Sequence, residues 1–494
     1  MKVSRRGFVG GALAFGAFGA FGAFGASGAE PRLKFGVMSD VHIGSKPDAE
    51  ATAEKALRWF ASENVDAVLC PGDIAHSGLI QELEKFAAVW RRVFPGGRRP
   101  DGGRVELMIS TGNHDVDGWS GRWDGFSEEQ MDARRFNWKD NPVRTWRRLF
   151  GQEWSLVWRR EVKGYTFIGS QWSSLNPPIV DYFREHAADL RGDRPFFYCQ
   201  HAHPKGTCHG SYAMGGDKGE SVAALSPFPN AVAISGHSHC AISDERTVWQ
   251  GAFTSIGAGC VHAAAGGFGY DNVTAYWHPS YRRNLMGAIA DPKSYGGDAK
   301  GGGCEVFEVY DDHLVVRRQS VEFMRPIGPE WMVPLPARSG GPLDFAVRRA
   351  RREAEGAVPQ FAADAKVVAE FCPGGHALEG VGHRGEPCIH VSFPRARTVG
   401  GSRVFDYTVE AAAEGMESPV VRRIVAAGFA YPEECADIPG ECLFSANELP
   451  AGRTIRLTVT PRDCFGLSGR PLASSFAFGG KCVRRTFNAG ADIV

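Results

Sequence analysis

At 494 residues the chain is long enough for two domains, and with 43% hydrophobic and 23% charged residues it can bury a sizeable core. Lys plus Arg and Asp plus Glu balance at 56 each, which removes the electrostatic case for nucleic acid as a bulk partner. The 12 cysteines carry meaning only once the compartment is known.

The first residues address the compartment. Met1-Lys2-Val3-Ser4-Arg5-Arg6-Gly7-Phe8-Val9 resembles a twin-arginine export signal. An uncharged Gly/Ala/Phe-rich run follows over 10–25, and Ser27-Gly28-Ala29 fits a small-residue cleavage site before Glu30. The expectation is a signal peptide over 1–29, removed on export to the periplasm or the extracellular space; the other readings are a membrane anchor or a weak helix without targeting meaning. No later segment holds 18 uninterrupted apolar residues, so no membrane span is expected after cleavage.

Residues 33–38 are apolar and lead to Ser39-Asp40-Val41-His42, a strand and then a loop. Residues 49–63 place Ala53, Leu57 and Phe60 near helical spacing. Residues 66–70 give a second strand, ending at Pro71-Gly72-Asp73, and a helix over 79–94 stops at Pro95-Gly96-Gly97. The run 105–109 then delivers Thr111-Gly112-Asn113-His114-Asp115. This alternation predicts a parallel sheet with crossover helices.

Residues 126–150 read as a basic amphipathic helix packing Trp138, Trp146 and Phe150 inward. Residues 153–172 read as a hairpin and 178–190 as a short helix. Strand 195–200 delivers His201-Ala202-His203-Pro204, and strand 231–235 delivers Gly236-His237-Ser238-His239. Residues 247–256 and 304–320 read as antiparallel strands, with Asp311-Asp312 as the last turn. Five prolines from Pro326 to Pro342 then mark an extended linker over 323–357, which carries a charged helix at 345–355. From 358 to 494, short runs at 365–371, 389–393, 404–409, 420–426, 454–460 and 474–478 predict an all-β sandwich. Cys372, Cys388, Cys435, Cys442, Cys464 and Cys482 fall there, as disulfides if exported or as buried thiols.

Asp40 and His42, Asp73, Asn113 and His114, His201, and His237 and His239 each follow an apolar run and a turn. Open α/β sheets place their chemistry at such strand ends. Asp, Asn and His suit borderline divalent metals such as Mn, Fe or Zn, and no Cys joins them to make a thiolate zinc site. Eight polar residues are more than one ion needs; two ions sharing a carboxylate fit better. Spacing leaves His201 and His203 as rivals for one position. His201, nearer the strand end, is taken as the ligand, and His203 is left to line the substrate pocket or cap the loop.

In this order the motifs resemble the calcineurin-like metallophosphoesterase superfamily over residues 33–239. The resemblance implies a four-layer α/β/β/α metallophosphoesterase sandwich over 30–322 with a dinuclear metal centre. Carried over by position, Asp40, His42 and His239 hold one metal, Asn113, His201 and His237 the other, and Asp73 bridges. His114 then stabilises the transferring phosphoryl group or protonates the leaving oxygen, with Asp115 orienting it. A hydroxide bridging the metals attacks phosphorus in a phosphodiester or phosphomonoester. No basic cluster near the motifs pins a terminal dianion, which favours the diester. Purple acid phosphatases carry a ligand Tyr three residues after the bridging Asp and lack the first His; this chain has His76 and His42 there, so a non-purple centre is expected.

Two loops are candidate walls of the substrate site, 204–219 with His209 and 257–269 with His262. The segment 456–468 is similar to the penultimate strand of a fibronectin type III-like module. The rival reading of the whole chain starts there: an exported envelope protein whose sandwich binds glycan or protein, with the phosphoesterase domain auxiliary.

Overall fold

Apolar residues that alternate along a strand cover both faces of a sheet only if each face finds a partner layer. The computed structural model describes residues 30–116, 127–134, 141–172, 178–208, 217–261, 302–376, 385–426 and 428–479. The expected signal segment, together with Trp138, His209, His262 and Cys482, lies outside the described residues. The chain first lays down β1 (Leu33–Val37), β2 (Ala67–Cys70) and β3 (Glu106–Ile109) as parallel neighbours. They are joined by helices α1 (Ala49–Ser62) and α2 (Ile80–Val93). A second sheet follows: β4 (Val157–Val162), β5 (Tyr165–Ser170), β6 (Phe196–Cys199), β7 (Ala231–Ser235), β8 (Val248–Gln250) and β9 (Thr254–Gly257), in the order 4-5-6-7-9-8. The chain then returns to the open edge of β1 with β10 (Gly303–Val309) and β11 (His313–Ser320), both antiparallel to their neighbours.

Leu33, Phe35, Val37 and Leu69 of the first sheet meet Phe167, Phe197, Val232 and Ile234 of the second in the central layer. The opposite face of the first sheet packs Val68 and Val306 on Ala53, Leu57, Phe60 and Phe86 of the two helices. The outer face of the second sheet packs Ile168, Tyr198 and Ala233 on Phe183 and Leu225 of two short helices. This is the four-layer α/β/β/α fold. Two details differ from the sequence reading. β8 and β9 are antiparallel to each other, but β9 runs parallel to β7 and so extends the second sheet. Part of the proline-rich connection joins the first sheet: Arg325–Pro326 (β12) and Trp331–Pro334 (β13) both pair with β11. Trp331 is fixed there by the Arg318 guanidinium, 3.7 Å from its ring centre.

The C-terminal part holds β14 (Val368–Cys372), β15 (Cys388–Phe393), β16 (Asp406–Ala413), β17 (Val420–Val425), β18 (Gly440–Ser445), β19 (Thr454–Arg462) and β20 (Leu472–Ala477). They form two antiparallel sheets, 14-15-18 and 17-16-19-20, around Ile389, Val391, Tyr407, Val409, Leu457 and Val459. The sequence reading found six of these strands and missed β18. Among the described cysteines of this region, Cys435, Cys442 and Cys464 are free thiols, and Cys372 faces Cys388 across β14 and β15.

The helix Phe345–Glu355 joins the two parts. Asp344 caps it by accepting from the amides of Ala346 and Val347. Its buried Arg348 and Arg352 both reach Glu245, and Arg352 also reaches Asp463 at 3.1 Å. Among the described residues no helix is long and apolar enough to cross a membrane.

Candidate metal centre

β1, β2 and β3 end side by side in one sheet, and β6 and β7 end side by side in the other. The loops leaving these ends carry every ligand candidate. The first two loops continue the sheet as paired backbone: Asp40 N donates to Gly72 O at 3.1 Å and His42 N to Asp73 O at 3.0 Å. Asp40, His42, Asp73, His237 and His239 all have φ between 48° and 67°, five of the eight non-glycine residues with positive φ among the described residues. Such a conformation costs on the order of 1–3 kcal/mol per residue and persists where surrounding structure over-determines it. The neighbouring glycines allow the crowding. A Cβ on Gly112 would lie 2.1 Å from Asp73 Oδ1, and one on Gly236 would lie 2.0 Å from Ser39 Oγ.

Donor atoms converge in two groups that share one carboxylate, beside a third, all-histidine group of His42, His76 and His114. Ligand-type atoms of Asp40, His42, Asp73 and His239 lie within 4.8 Å of one another, as do those of Asp73, His201 and His237. His239 Nε2 is 2.9 Å from Asp40 Oδ1 and 3.1 Å from His42 Nε2. His201 Nε2 is 3.1 Å from Asp73 Oδ2 and 3.2 Å from His237 Nδ1. The other oxygen of each carboxylate is held by backbone. His237 N donates to Asp40 Oδ2 at 3.0 Å, and His114 N donates to Asp73 Oδ1 at 2.8 Å. His201 Nδ1 donates to Pro71 O at 2.7 Å, so Nε2 is the nitrogen presented to Asp73.

The electrostatics fit a pair of divalent cations. Asn113 Oδ1 is a buried acceptor with no hydrogen-bond partner, and Asp40 Oδ1 faces histidine nitrogens of the cluster. Burial works against the charge of Asp40 and Asp73, yet the facing histidines hold both carboxyls well below the usual range. Burial, with repulsion from His201, pushes His237 down to about 3, and burial also keeps His42 neutral. For His201, burial is overcome by Asp73 and Asp40, which raise it to about 9. His239 is raised in the same sense by Cys260 and Asp40 against burial. The carboxylates thus gather positive charge, and protons on His201 and His239 occupy donors that binding cations would take by displacing them.

His114 lies at the edge of this group. Its Nδ1 donates to His76 O at 2.8 Å, and its ring meets that of His42 at 4.6 Å. Asp115 does not orient His114, as the sequence reading expected. Its Oδ1 accepts from Ala75 N at 2.7 Å and its Oδ2 from Gly112 N at 2.8 Å, so it ties two ligand loops together. Burial and the Asp73 charge raise its carboxyl to about 7. His203 is also corrected. It is only 2% exposed, and its ring nitrogens lie 2.6 Å from Ser235 Oγ and Ser238 Oγ, so it braces the Gly236–His239 turn from behind instead of lining a substrate pocket.

One residue at the site escaped the sequence reading. Trp172 follows β5, and its amide donates to Thr111 O and Thr111 Oγ1, both at 3.1 Å. Its half-buried indole lies 5.4 Å from the His237 ring and 5.8 Å from the His201 ring. No motif marks it, because its place depends on β5 and β3 meeting across the central layer.

A stretch of 77 residues is 31% identical to the UDP-2,3-diacylglucosamine hydrolase of Bordetella pertussis, covering 16% of this chain. The chain spans 30% of the length of that relative, with the same figures for the Bordetella parapertussis protein. Among solved structures, a dimetal phosphatase from Danio rerio matches 62% of this chain and 99% of its own, at 12% identity and a TM-score of 0.34. A purple acid phosphatase from yellow lupin (Lupinus luteus) seeds matches 62% of this chain and 54% of its own, at 12% identity and a TM-score of 0.38. Residues 33–241 match the family described as calcineurin-like phosphoesterase, and that span contains all seven ligand candidates and His114; this part of the chain is a calcineurin-like phosphoesterase domain.

Proposed function

We propose that the chain is a metal-dependent phosphoesterase that hydrolyses a phosphodiester, with phosphomonoesters as the second substrate class. The observation that carries this reading is the convergence of Asp40, His42, Asp73, His201, His237 and His239 from four strand ends, with the unpartnered Asn113 Oδ1 on a fifth. In this reading Asp40, His42 and His239 hold one cation, Asn113, His201 and His237 the other, and Asp73 serves both. Two divalent ions, Mn, Fe or Zn by this donor set, would supply Lewis acidity and an acidified water. The protein contributes positioning: backbone amides aim one oxygen of Asp40 and of Asp73 inward, and Pro71 O fixes the His201 tautomer. His114, with its Nδ1 proton committed to His76 O, has Nε2 to carry a proton to the leaving oxygen.

The preference for a diester follows from charge. The strongest charges acting on Asp40, Asp73, His201 and His237 are those of the cluster itself, with no Arg or Lys among them. Among the described residues a terminal phosphate dianion would meet no counter-cation of that kind beyond the metals, whereas a diester carries one charge less. The name of the Bordetella relative places a nucleotide-linked sugar among the substrates to test.

We further propose export by the twin-arginine route, on the strength of Arg5-Arg6 and the run behind them. The C-terminal domain is proposed as a fibronectin type III-like module, a reading supported by its strand order 14-15-18 against 17-16-19-20. The role of the module as an envelope-binding protein in its own right is the less favoured reading.

The test is hydrolysis of bis(p-nitrophenyl) phosphate and p-nitrophenyl phosphate with added Mn and with chelator. Metal-dependent turnover, faster on the diester, is expected. Turnover unaffected by chelator would refute the reading.

A further inference from the structure

His76 lies three residues after Asp73 in the same turn, and neither a ligand nor a catalytic role has been given to it. Its turn is fixed from both sides. His76 N donates to Ile43 O at 3.0 Å, and Glu82 of α2 accepts from Ser77 N at 2.8 Å and Leu79 N at 3.2 Å. Its ring stacks on His114, with centres 5.2 Å apart and planes 26° apart. Its Nδ1 is 3.4 Å from His42 Nδ1, and its carbonyl accepts from His114 Nδ1 at 2.8 Å.

We infer that His76 is a positioning residue that fixes the tautomers of two neighbours, the ligand His42 through its ring and the proton carrier His114 through its carbonyl. The inference rests on the metal-dependent reading above. A histidine that offers its Nε2 lone pair to a cation carries its proton on Nδ1 and needs an acceptor there. For His42 the acceptor at that position is His76 Nδ1, which places the proton of His76 on its own Nε2. The His76 carbonyl likewise commits the Nδ1 proton of His114 and leaves Nε2 for the substrate side. One residue thereby sets the tautomers of groups on both sides of the reaction, and only one of its two hydrogen bonds to them is made by the side chain.

That asymmetry makes the inference testable. The variants are His76→Ala, which removes the acceptor, and His76→Gln, whose Oε1 can replace it. Mn binding is measured by equilibrium dialysis with metal analysis, and kcat and KM on bis(p-nitrophenyl) phosphate are measured at saturating Mn. His76→Ala is expected to weaken the tighter-affected Mn by about 10–100-fold, the usual effect of losing a partner behind a ligand. His76→Gln should stay within about threefold of wild type on the same scale. KM at saturating Mn should be unchanged in both, because the backbone carbonyl on His114 remains. Wild-type affinity in His76→Ala overturns the inference. So does a raised KM at saturating Mn, which would make His76 a substrate contact, or a third Mn lost from the stoichiometry, which would make it a ligand. If wild-type protein binds no Mn, the metal-dependent reading falls first and this inference with it, so the two failures are distinguishable.

Discussion

Residues 30–335 and 358–479 each bury an apolar layer between two β-sheets, yet they treat their polar groups in opposite ways. In the C-terminal sandwich, buried acids are matched. Asp406 takes Arg462 at 2.8 and 2.6 Å, and Asp463 takes Arg352, Ser402 and the amides of Phe465 and Leu467. All eight non-glycine residues with positive φ among the described residues, and every orphaned carboxylate or amide oxygen, lie in the first region. The same alternation of side chains builds both cores, so alternation does not locate function. Function is located where the chain breaks local rules and leaves charge unpaired, and here that is the five strand ends.

The sharpest way to break this contrast is at its centre. Asp73→Asn removes the carboxylate shared by both donor groups. Loss of about 4 kcal/mol of transition-state stabilisation, near 10³-fold in kcat/KM, is expected, together with loss of bound Mn. Kinetics with metal analysis on folded protein check it; full activity with Asn at 73 would remove the shared carboxylate from the mechanism.

The next test asks whether the regions are energetically separate. Arg352→Met removes the buried guanidinium from Glu245 and Asp463, and breaking such a pair costs roughly 3–5 kcal/mol. Urea unfolding should show that loss. Mn-dependent turnover should hold within about twofold, since Arg348 still pairs Glu245. A matching fall in Mn affinity would show instead that the sandwich supports the loop after His239.

A third test addresses the one orphaned acid of the first region that the metal centre does not explain. Glu305 on β10 is wholly buried, and neither of its oxygens has a partner. Burial, only partly offset by Arg318, raises its carboxyl to about 8. A folded-state value above the unfolded one means that the native chain holds the proton longer. The associated stability is full below the unfolded value of 4.5 and is lost as pH rises through about 8. Glu305→Gln copies the protonated acid. It should match wild type at acid pH and exceed it by on the order of 5 kcal/mol at pH 9. Thermal melts across pH check this; parallel curves would mean that Glu305 is ionised in the fold.

The gathering of these donors was legible in the sequence because side chains that converge from several loops need strand ends and close-packed glycines, and both leave marks. Gly112 and Gly236 stand where a Cβ would strike Asp73 Oδ1 or Ser39 Oγ. What was not legible depended on chain direction beyond the motif. Asp115 adjoins His114 in sequence, but one helical turn over Asn113–Val116 aims it back at Gly112 and Ala75. His203 matches His201 in type and strand end, yet only His201 points between the carboxylates. β18 was missed because Gly440 and Cys442-Leu443-Phe444 blur its alternation, although Cys442 and Phe444 are buried in the sandwich core.

Trp172 provides the mildest and most specific test. Its indole is held against the rings of His201 and His237 by backbone bonds to Thr111, so it forms an apolar wall beside one donor group. A wall of this kind can pack against the organic arm of a diester, and an aromatic contact is worth about 0.5–1.5 kcal/mol. Trp172→Ala should therefore raise KM for bis(p-nitrophenyl) phosphate up to about tenfold, with little change in kcat at saturating Mn. Methyl p-nitrophenyl phosphate, which has one small arm, should lose less. If the indole only supports the two histidines, both esters will suffer equally and Mn affinity will fall with them. Trp172 would then belong to the scaffold of the ligands, and the contrast between regions would rest on the metal donors alone.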